Sequence, residues 1–249
     1  MVRQTVTSPW FRYYKIKPEA HLRLFCFPHA GGGASQFCLW GEKFPAFVEV
    51  CPVQLPGREE RLGEQPFTQL SALLPPLMEA ISGYLDKPFA FFGHSMGALI
   101  SFELARSLRR CNLPLPQHLF VSAHRAPHLP RQHRYAHVLP SAEFLKAVER
   151  LAGTPVELLN NAEAMETFLP VLRADFRLCE TYNYTVEEPL SSTLSACGGM
   201  MDDSVSRQEL DAWRLQTTSA FNLHMFPGAH FYFQNMETPL IRFISYKLK

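Results

Sequence analysis

The sequence predicts an α/β fold: a mostly parallel central sheet flanked by helices, with a helical lid inserted between two core strands. Three observations carry that expectation. Short runs rich in β-branched and aromatic residues alternate with longer runs of helical spacing. The strand-like runs are apolar on both faces, as strands covered by helices on both sides must be. From Ala123 to about Ser192 the chain shows helical patterns and no strand, far more than an αβ crossover needs.

In chain order, HLRLFCF (21–27) gives the first strand, followed by a glycine-rich turn and a helix over about 35–46. VEVCPVQL (48–55) gives the second strand and leads to a helix at about 67–84. PFAFFG (88–93) is the third strand, and it runs through a sharp corner into a helix at 96–110. HLFVSA (118–123) is the fourth. The long interval then carries SAEFLKAVERLAG and AEAMETFLPVLRADFRLCETYNY, both with helical periodicity. STLSACG (192–198) and FNLHMFP (221–227) close the sheet, with helices at about 207–217 and 237–248. Residues 1–249 therefore read as one domain, and a long connection with its own helices, 125–190, reads as the lid.

At 249 residues the chain can bury a substantial core, and 47% hydrophobic with 19% charged residues is an ordinary globular composition. A formal charge of +1 argues against nucleic-acid binding through bulk charge. No apolar run is long enough to span a bilayer, so no membrane association is expected. The first residues, MVRQTVTSPWFRYYKIK, lack the apolar core and cleavage site of a secretory signal. The six cysteines form no CxxC pair and read as reduced thiols of a cytoplasmic protein. A monomer is expected.

The corner after the third strand holds the first chemical signal. Gly93-His94-Ser95-Met96-Gly97 fits G-x-S-x-G, and it lies between a strand and a helix, the context that separates a nucleophile elbow from a chance match. The turn lifts the Ser95 hydroxyl clear of the sheet and puts the Met96 N–H at a helix N-terminus, where it can bind a developing oxyanion. His94, the serine's neighbour, points the other way along an extended segment and reads as a packing residue.

A serine hydroxyl needs a base. FNLHMFPGAHFYF offers His224, inside the strand run, and His230, just past the strand's carboxyl end, where open α/β sheets place their ligands. His230 is the candidate base. The carboxylate that orients it should follow a strand between serine and histidine. Of five aspartates, Asp86 precedes the serine, and Asp211 lies on an amphipathic helix. Asp175 sits mid-helix beside Arg173, and VLRADF reads as a structural ion pair. Asp202 and Asp203 remain, directly after STLSACGG, and the residues alone leave the two open.

A second oxyanion donor should come from the loop after an early strand. Pro28-His29-Ala30-Gly31-Gly32-Gly33 supplies a loop whose glycines let backbone N–H groups turn toward the serine. The rival reading is a phosphate cradle. No Gly-Lys-Ser/Thr follows, and Gln36 stands where a dinucleotide fingerprint needs its third glycine. No cofactor is expected.

With these parts in place, the chain resembles the type II thioesterases of polyketide, nonribosomal peptide and fatty acid synthases, within the α/β-hydrolase superfamily. The resemblance runs nearly end to end: SPWF, LRLFCFPHAGGGAS, VQLPGREER, PFAFFGHSMGALISFELA, AGTP, LPVLRADF, ETYNY, GGMMDDSVS, AWR and FPGAHFYF. It implies Ser95 as nucleophile and His230 as general base. The family's Gly-Gly-x-x-Asp-x-x-Val pattern falls on Gly198, Gly199, Asp202 and Val205, which selects Asp202, although Asp203 replaces the proline that often follows. It also implies an oxyanion hole from the Ala30 and Met96 N–H groups and a helical lid over the site.

The substrate so implied is an acyl thioester on the phosphopantetheine arm of a carrier protein. For the carrier, HRAPHLPRQHRYAH (124–137) offers Arg125, Arg131 and Arg134 with four histidines and no acid. It reads either as a solvated hinge or as a basic docking rim. A zinc site is not expected there, because no cysteine or acid accompanies the histidines and proline breaks the segment. The alternatives are a carboxylesterase or lipase using the same residues on oxygen esters, and a non-catalytic carrier-binding module.

Overall fold

Aromatic and aliphatic side chains on both faces of a strand are stable only between two helical layers. The computed structural model, which describes residues 8–130, 135–149 and 162–249, has that arrangement. Six strands, β1 (Leu22–Phe27), β2 (Val48–Pro52), β3 (Phe89–His94), β4 (His118–Ser122), β5 (Thr193–Gly199) and β6 (Phe221–Phe226), form one sheet ordered β2-β1-β3-β4-β5-β6. Every neighbouring pair is parallel.

Alternation along the strands divides the core. Phe25, Phe27 and Phe91 face one layer, where α2 (Leu70–Ser82), α3 (Met96–Arg110) and α6 (Arg207–Asp211) bury Leu77, Phe102 and Leu210. Leu24, Cys26 and Phe92 face the other, covered by Trp40 of the short α1 (Trp40–Lys43) and by Leu240 and Ile244 of α7 (Glu237–Lys247). All six cysteines are free thiols. Among the described residues no helix is long and apolar enough to cross a membrane.

Some expected elements are shorter than the sequence suggests. The helix expected at 35–46 is a 3-10 turn, Ala34–Phe37, followed by α1. The strand expected at 48–55 ends at Pro52, because the Gln54 N–H turns away to the Trp10 carbonyl (2.8 Å). The helix expected at 207–217 tightens after Asp211 into a 3-10 turn, Ala212–Gln216, which buries Trp213.

The connection from β4 to β5 holds α4 (Ser141–Glu149) and α5 (Ala162–Glu180). Phe144, Val148 and Leu172 form a small separate core with Phe168 and Phe176, and Ala30 of the β1 loop packs against it. The AGTP segment of this connection lies outside the described residues. Asp175 is an ion-pair partner, but not of its neighbour: it pairs with Arg58 (2.6 Å), and Arg173 donates instead to the carbonyls of His137 and Leu139. The connection so places α5 against the carboxyl ends of β1 and β3.

Candidate active site

Ser95 occupies the single residue between β3 and α3, with φ 53° and ψ −116°. A non-glycine residue there carries strain on the order of 1–3 kcal/mol, so its surroundings must hold it. They do so through its N–H, which donates to the Ser122 carbonyl at the end of β4 (2.7 Å), and through close packing of the turn. A β-carbon on Gly93 would collide with the Gly97 carbonyl, and one on Gly97 with the Phe27 carbonyl of β1. The two glycines let the elbow fold tightly enough to present the hydroxyl.

His230 reaches the same point from the loop after β6. Ser95 Oγ donates to His230 Nε2 (3.2 Å), and His230 Nδ1 donates to Asp202 Oδ2 (2.8 Å), with those roles fixed by the acceptor-only carboxylate. The histidine and aspartate side chains are almost fully buried, 7% and 1% exposed. Burial pushes the Asp202 carboxyl up, but the bond to His230, that ring's charge and the Ser204 hydrogen bonds outweigh it and hold the group below the usual carboxylate range. Asp203 is exposed. The structure thus brings Asp202 to the imidazole, and not its neighbour. His224 is exposed, stacks on Phe243 and meets Phe226 edge-on.

Two groups beside this line were not singled out in the sequence. Ser204 Oγ donates to Asp202 Oδ1 (2.6 Å) and lies 2.9 Å from His230 Nδ1, while the Ser204 N–H also donates to Oδ1 (2.8 Å). An aspartate can take the N–H two residues on in an Asx turn, so Asp202 itself was the signal that pointed to residue 204. His29, at the start of the glycine loop, is half-buried with its ring against Phe231, 6.1 Å from the ring of His94. Burial, with the charges of His230 and Arg58, pushes the His29 imidazole down to about 4. His94 is fully buried, bonds Ser122 Oγ through Nδ1 (2.9 Å) and is likewise held well below the usual range by burial. Both rings are therefore neutral at pH 7. His94 packs against His230 at 5.4 Å between ring centres, and its one side-chain hydrogen bond goes to Ser122 while the Ser95 hydroxyl bonds His230.

Ser95, Met96, Ala30 and His230 line one cavity of about 200 Å³, walled by Leu172 and Phe176 of α5. As the first residue of α3, Met96 has no intrahelical acceptor for its N–H. Among the described residues, the Ala30 N–H also donates to no protein group. Arg125 stands at the cavity's rim, its guanidinium donating to the Pro130 carbonyl; Arg131 and Arg134 lie outside the described residues. A larger cleft, about 700 Å³, opens between α2, α3 and residues 181–187. Its buried Glu103 pairs with Arg106 and accepts from Tyr182, so it presents no nucleophile with a base. Among the described residues no group of three His, Cys, Asp or Glu side chains is arranged to hold a metal ion.

The arrangement suits acyl transfer: a serine hydroxyl bonded to an imidazole, a carboxylate that orients the imidazole, and two residues, Ala30 and Met96, whose backbone lines an apolar cavity. Comparison with known proteins agrees. The family model for the thioesterase domain matches residues 22–248. The gramicidin S biosynthesis protein GrsT of Aneurinibacillus migulanus is 45% identical over 97% of this chain and 94% of its own. LgrE of Brevibacillus parabrevis, named a linear gramicidin dehydrogenase, is 45% identical over 100% of this chain and 96% of its own. The structure of the type II thioesterase BorB from the borrelidin biosynthetic cluster superposes with a TM-score of 0.88 at 33% identity, covering 97% of this chain and 98% of BorB. The chain belongs to the thioesterase family, hydrolases of thioesters built on the α/β-hydrolase fold.

Proposed function

We propose that this thioesterase releases acyl groups held as thioesters on the phosphopantetheine arm of a carrier protein, in the service of a peptide or polyketide assembly line. The observation that carries the chemistry is the line from Ser95 Oγ through His230 to Asp202, 3.2 Å and 2.8 Å, at the edge of the cavity. The assembly-line setting rests on the names of GrsT and BorB. The word dehydrogenase in LgrE's name finds no counterpart in these residues, since Gln36 occupies the position of a dinucleotide fingerprint's third glycine and bonds the Gly33 carbonyl.

In this reading Ser95 attacks the thioester carbonyl while His230 Nε2 takes its proton. Asp202 holds the ring in that tautomer and stabilises the imidazolium. The Ala30 and Met96 amides receive the oxyanion. The thiol, with a pKa of about 8.5 by analogy with cysteine, leaves with little help from an acid. His230 then activates a water to hydrolyse the acyl-serine. The 125–190 connection acts as a lid whose Leu172 and Phe176 contact the acyl chain, and the cavity suits short acyl groups. Arg125 at the cavity's rim offers a positive charge to the carrier, the role the sequence also assigned to Arg131 and Arg134, which lie outside the described residues.

The test is hydrolysis of matched thioester and oxygen-ester substrates by wild type and Ser95→Ala. Thioester preference, with loss of at least a thousandfold in kcat on removing the hydroxyl, is the expected outcome. Equal or better turnover of the oxygen ester would support an esterase instead. Full activity in the alanine variant would overturn the catalytic reading and leave a carrier-binding module.

A further inference from the structure

Two of the segments that carry the family resemblance, VQLPGREER and LPVLRADF, supply none of the reacting groups described above. The structure brings them together at one buried contact, and that contact touches the glycine loop. Arg58 and Asp175 are 6% and 2% exposed. Their side chains meet in the bidentate fork–fork arrangement, Nη1 to Oδ2 at 2.6 Å and Nη2 to Oδ1 at 2.8 Å. Asp175 Oδ2 also accepts from the Gly31 N–H (2.7 Å), and Arg58 Nη1 donates to the Gly32 carbonyl (3.3 Å).

These bonds fix the backbone that follows Ala30, and a turn bond fixes the peptide before it. The His29 carbonyl accepts from the Gly32 N–H (2.9 Å). That carbonyl shares a trans peptide with the Ala30 N–H, and in a trans peptide the two groups point in opposite directions. Engaging the carbonyl inside the turn therefore directs the Ala30 N–H outward, to the cavity that Ala30 lines. Asp175 holds the next peptide, through the Gly31 N–H, and Arg58 the Gly32–Gly33 peptide that follows the turn. Gly31 adopts φ 76°, and a β-carbon there would meet Phe168 (2.8 Å) and Leu172 (2.9 Å) of α5, so helix and loop lie flush.

We propose that the Arg58–Asp175 pair is a positioning device for the oxyanion donor at Ala30, so that the oxyanion hole is complete only while α5 is seated against the loop. This rests on the thioesterase mechanism proposed above. The ion pair also has an electrostatic reason. A lone carboxylate beside the hole would oppose the oxyanion, and Arg58 cancels its charge while leaving an acceptor for Gly31. Seating of α5 over the acyl chain and assembly of the hole thereby become one event.

The test uses Asp175→Asn, Arg58→Met and the double variant Arg58→Met/Asp175→Leu, each first checked by thermal unfolding. Replacing a whole buried pair by apolar groups is often tolerated in stability, whereas removing one partner strands a charge. Hydrolysis of a short acyl-cysteamine thioester is followed together with inhibition by a trifluoromethyl ketone analogue, which forms a tetrahedral oxyanion adduct on Ser95. The double variant is expected to stay folded, keep KM within about threefold, and lose about 30-fold in kcat, with a parallel rise in the inhibition constant. Asp175→Asn keeps an oxygen for the Gly31 N–H and is expected to lose less than tenfold, again in parallel. Arg58→Met alone should be worse than the double variant. Unchanged kcat in the double variant, or a kcat loss without the matching change in ketone inhibition in either Asp175 variant, would overturn the proposal. If the double variant does not fold, the Asp175→Asn comparison decides by the same parallel. A wild type that neither cleaves the thioester nor is inhibited through Ser95 would instead overturn the mechanism itself, and this inference with it.

Discussion

His230 Nδ1 faces two oxygens, Asp202 Oδ2 at 2.8 Å and Ser204 Oγ at 2.9 Å, and has one proton to share between them. The carboxylate is the stronger acceptor, and the serine in turn donates to its other oxygen at 2.6 Å. Ser204 is thus a support for the aspartate more than a partner for the ring. Under the proposed mechanism, Asp202→Asn should lower kcat by about 10⁴, because an amide can present a donor to Nδ1 and favour the wrong tautomer. Ser204→Ala should cost no more than about tenfold, and Asp203→Ala should leave kcat within a factor of two. A kcat series on one thioester substrate separates these three outcomes.

The element that sets the position of the nucleophile is the turn from β3 into α3. Its strain at Ser95 is held by neighbours: the Ser122 carbonyl takes the Ser95 N–H, and Gly97 allows α3 to press on the Phe27 carbonyl of β1. Gly97→Ala adds one methyl group where backbone already stands, and backbone cannot rotate aside as a side chain can. A loss of about 1–3 kcal/mol in stability, measured by denaturant unfolding, should accompany a disproportionate fall in kcat as the elbow shifts from His230. A helix elsewhere shows the contrasting case. α2 runs through Pro75 and Pro76, and the carbonyls those residues leave unbonded belong to the solvent-facing Ser71 and Ala72, where water satisfies them.

For the whole molecule, His94 and His118 are buried in the sheet, and these two and the half-buried His29 are kept neutral at pH 7. His118 stacks on Phe120, bonds Ser195 Oγ (2.8 Å), and is pushed down to about 4, first by burial and then by the Lys247 charge. His29 stands at about 4 as well, and His94 lies well below its ordinary 6.5. Between about 4 and 6.5 the unfolded chain therefore binds more protons than the native one. The stabilisation is fully present above pH 6.5 and is lost as pH falls toward 4. His118→Gln, distant from the proposed site, should flatten the fall in unfolding free energy over that window by about 3 kcal/mol. Denaturant unfolding at a series of pH values reads it directly.

Local chemistry made much of this protein legible before any coordinates. Apolar runs such as PFAFFG and HLFVSA had to become strands buried on both faces, and G-x-S-x-G between a strand and a helix marked the turn at Ser95. These signals survive because they depend on residues adjacent in the chain. The support that Ser204 gives Asp202 and the real partner of Asp175 depend instead on which loops meet at the carboxyl edge of the sheet. Arg58 and Asp175 lie on segments that come together only once α5 packs against the β1 loop. An ion pair of that kind leaves no periodicity behind it, so only the tertiary structure could decide it.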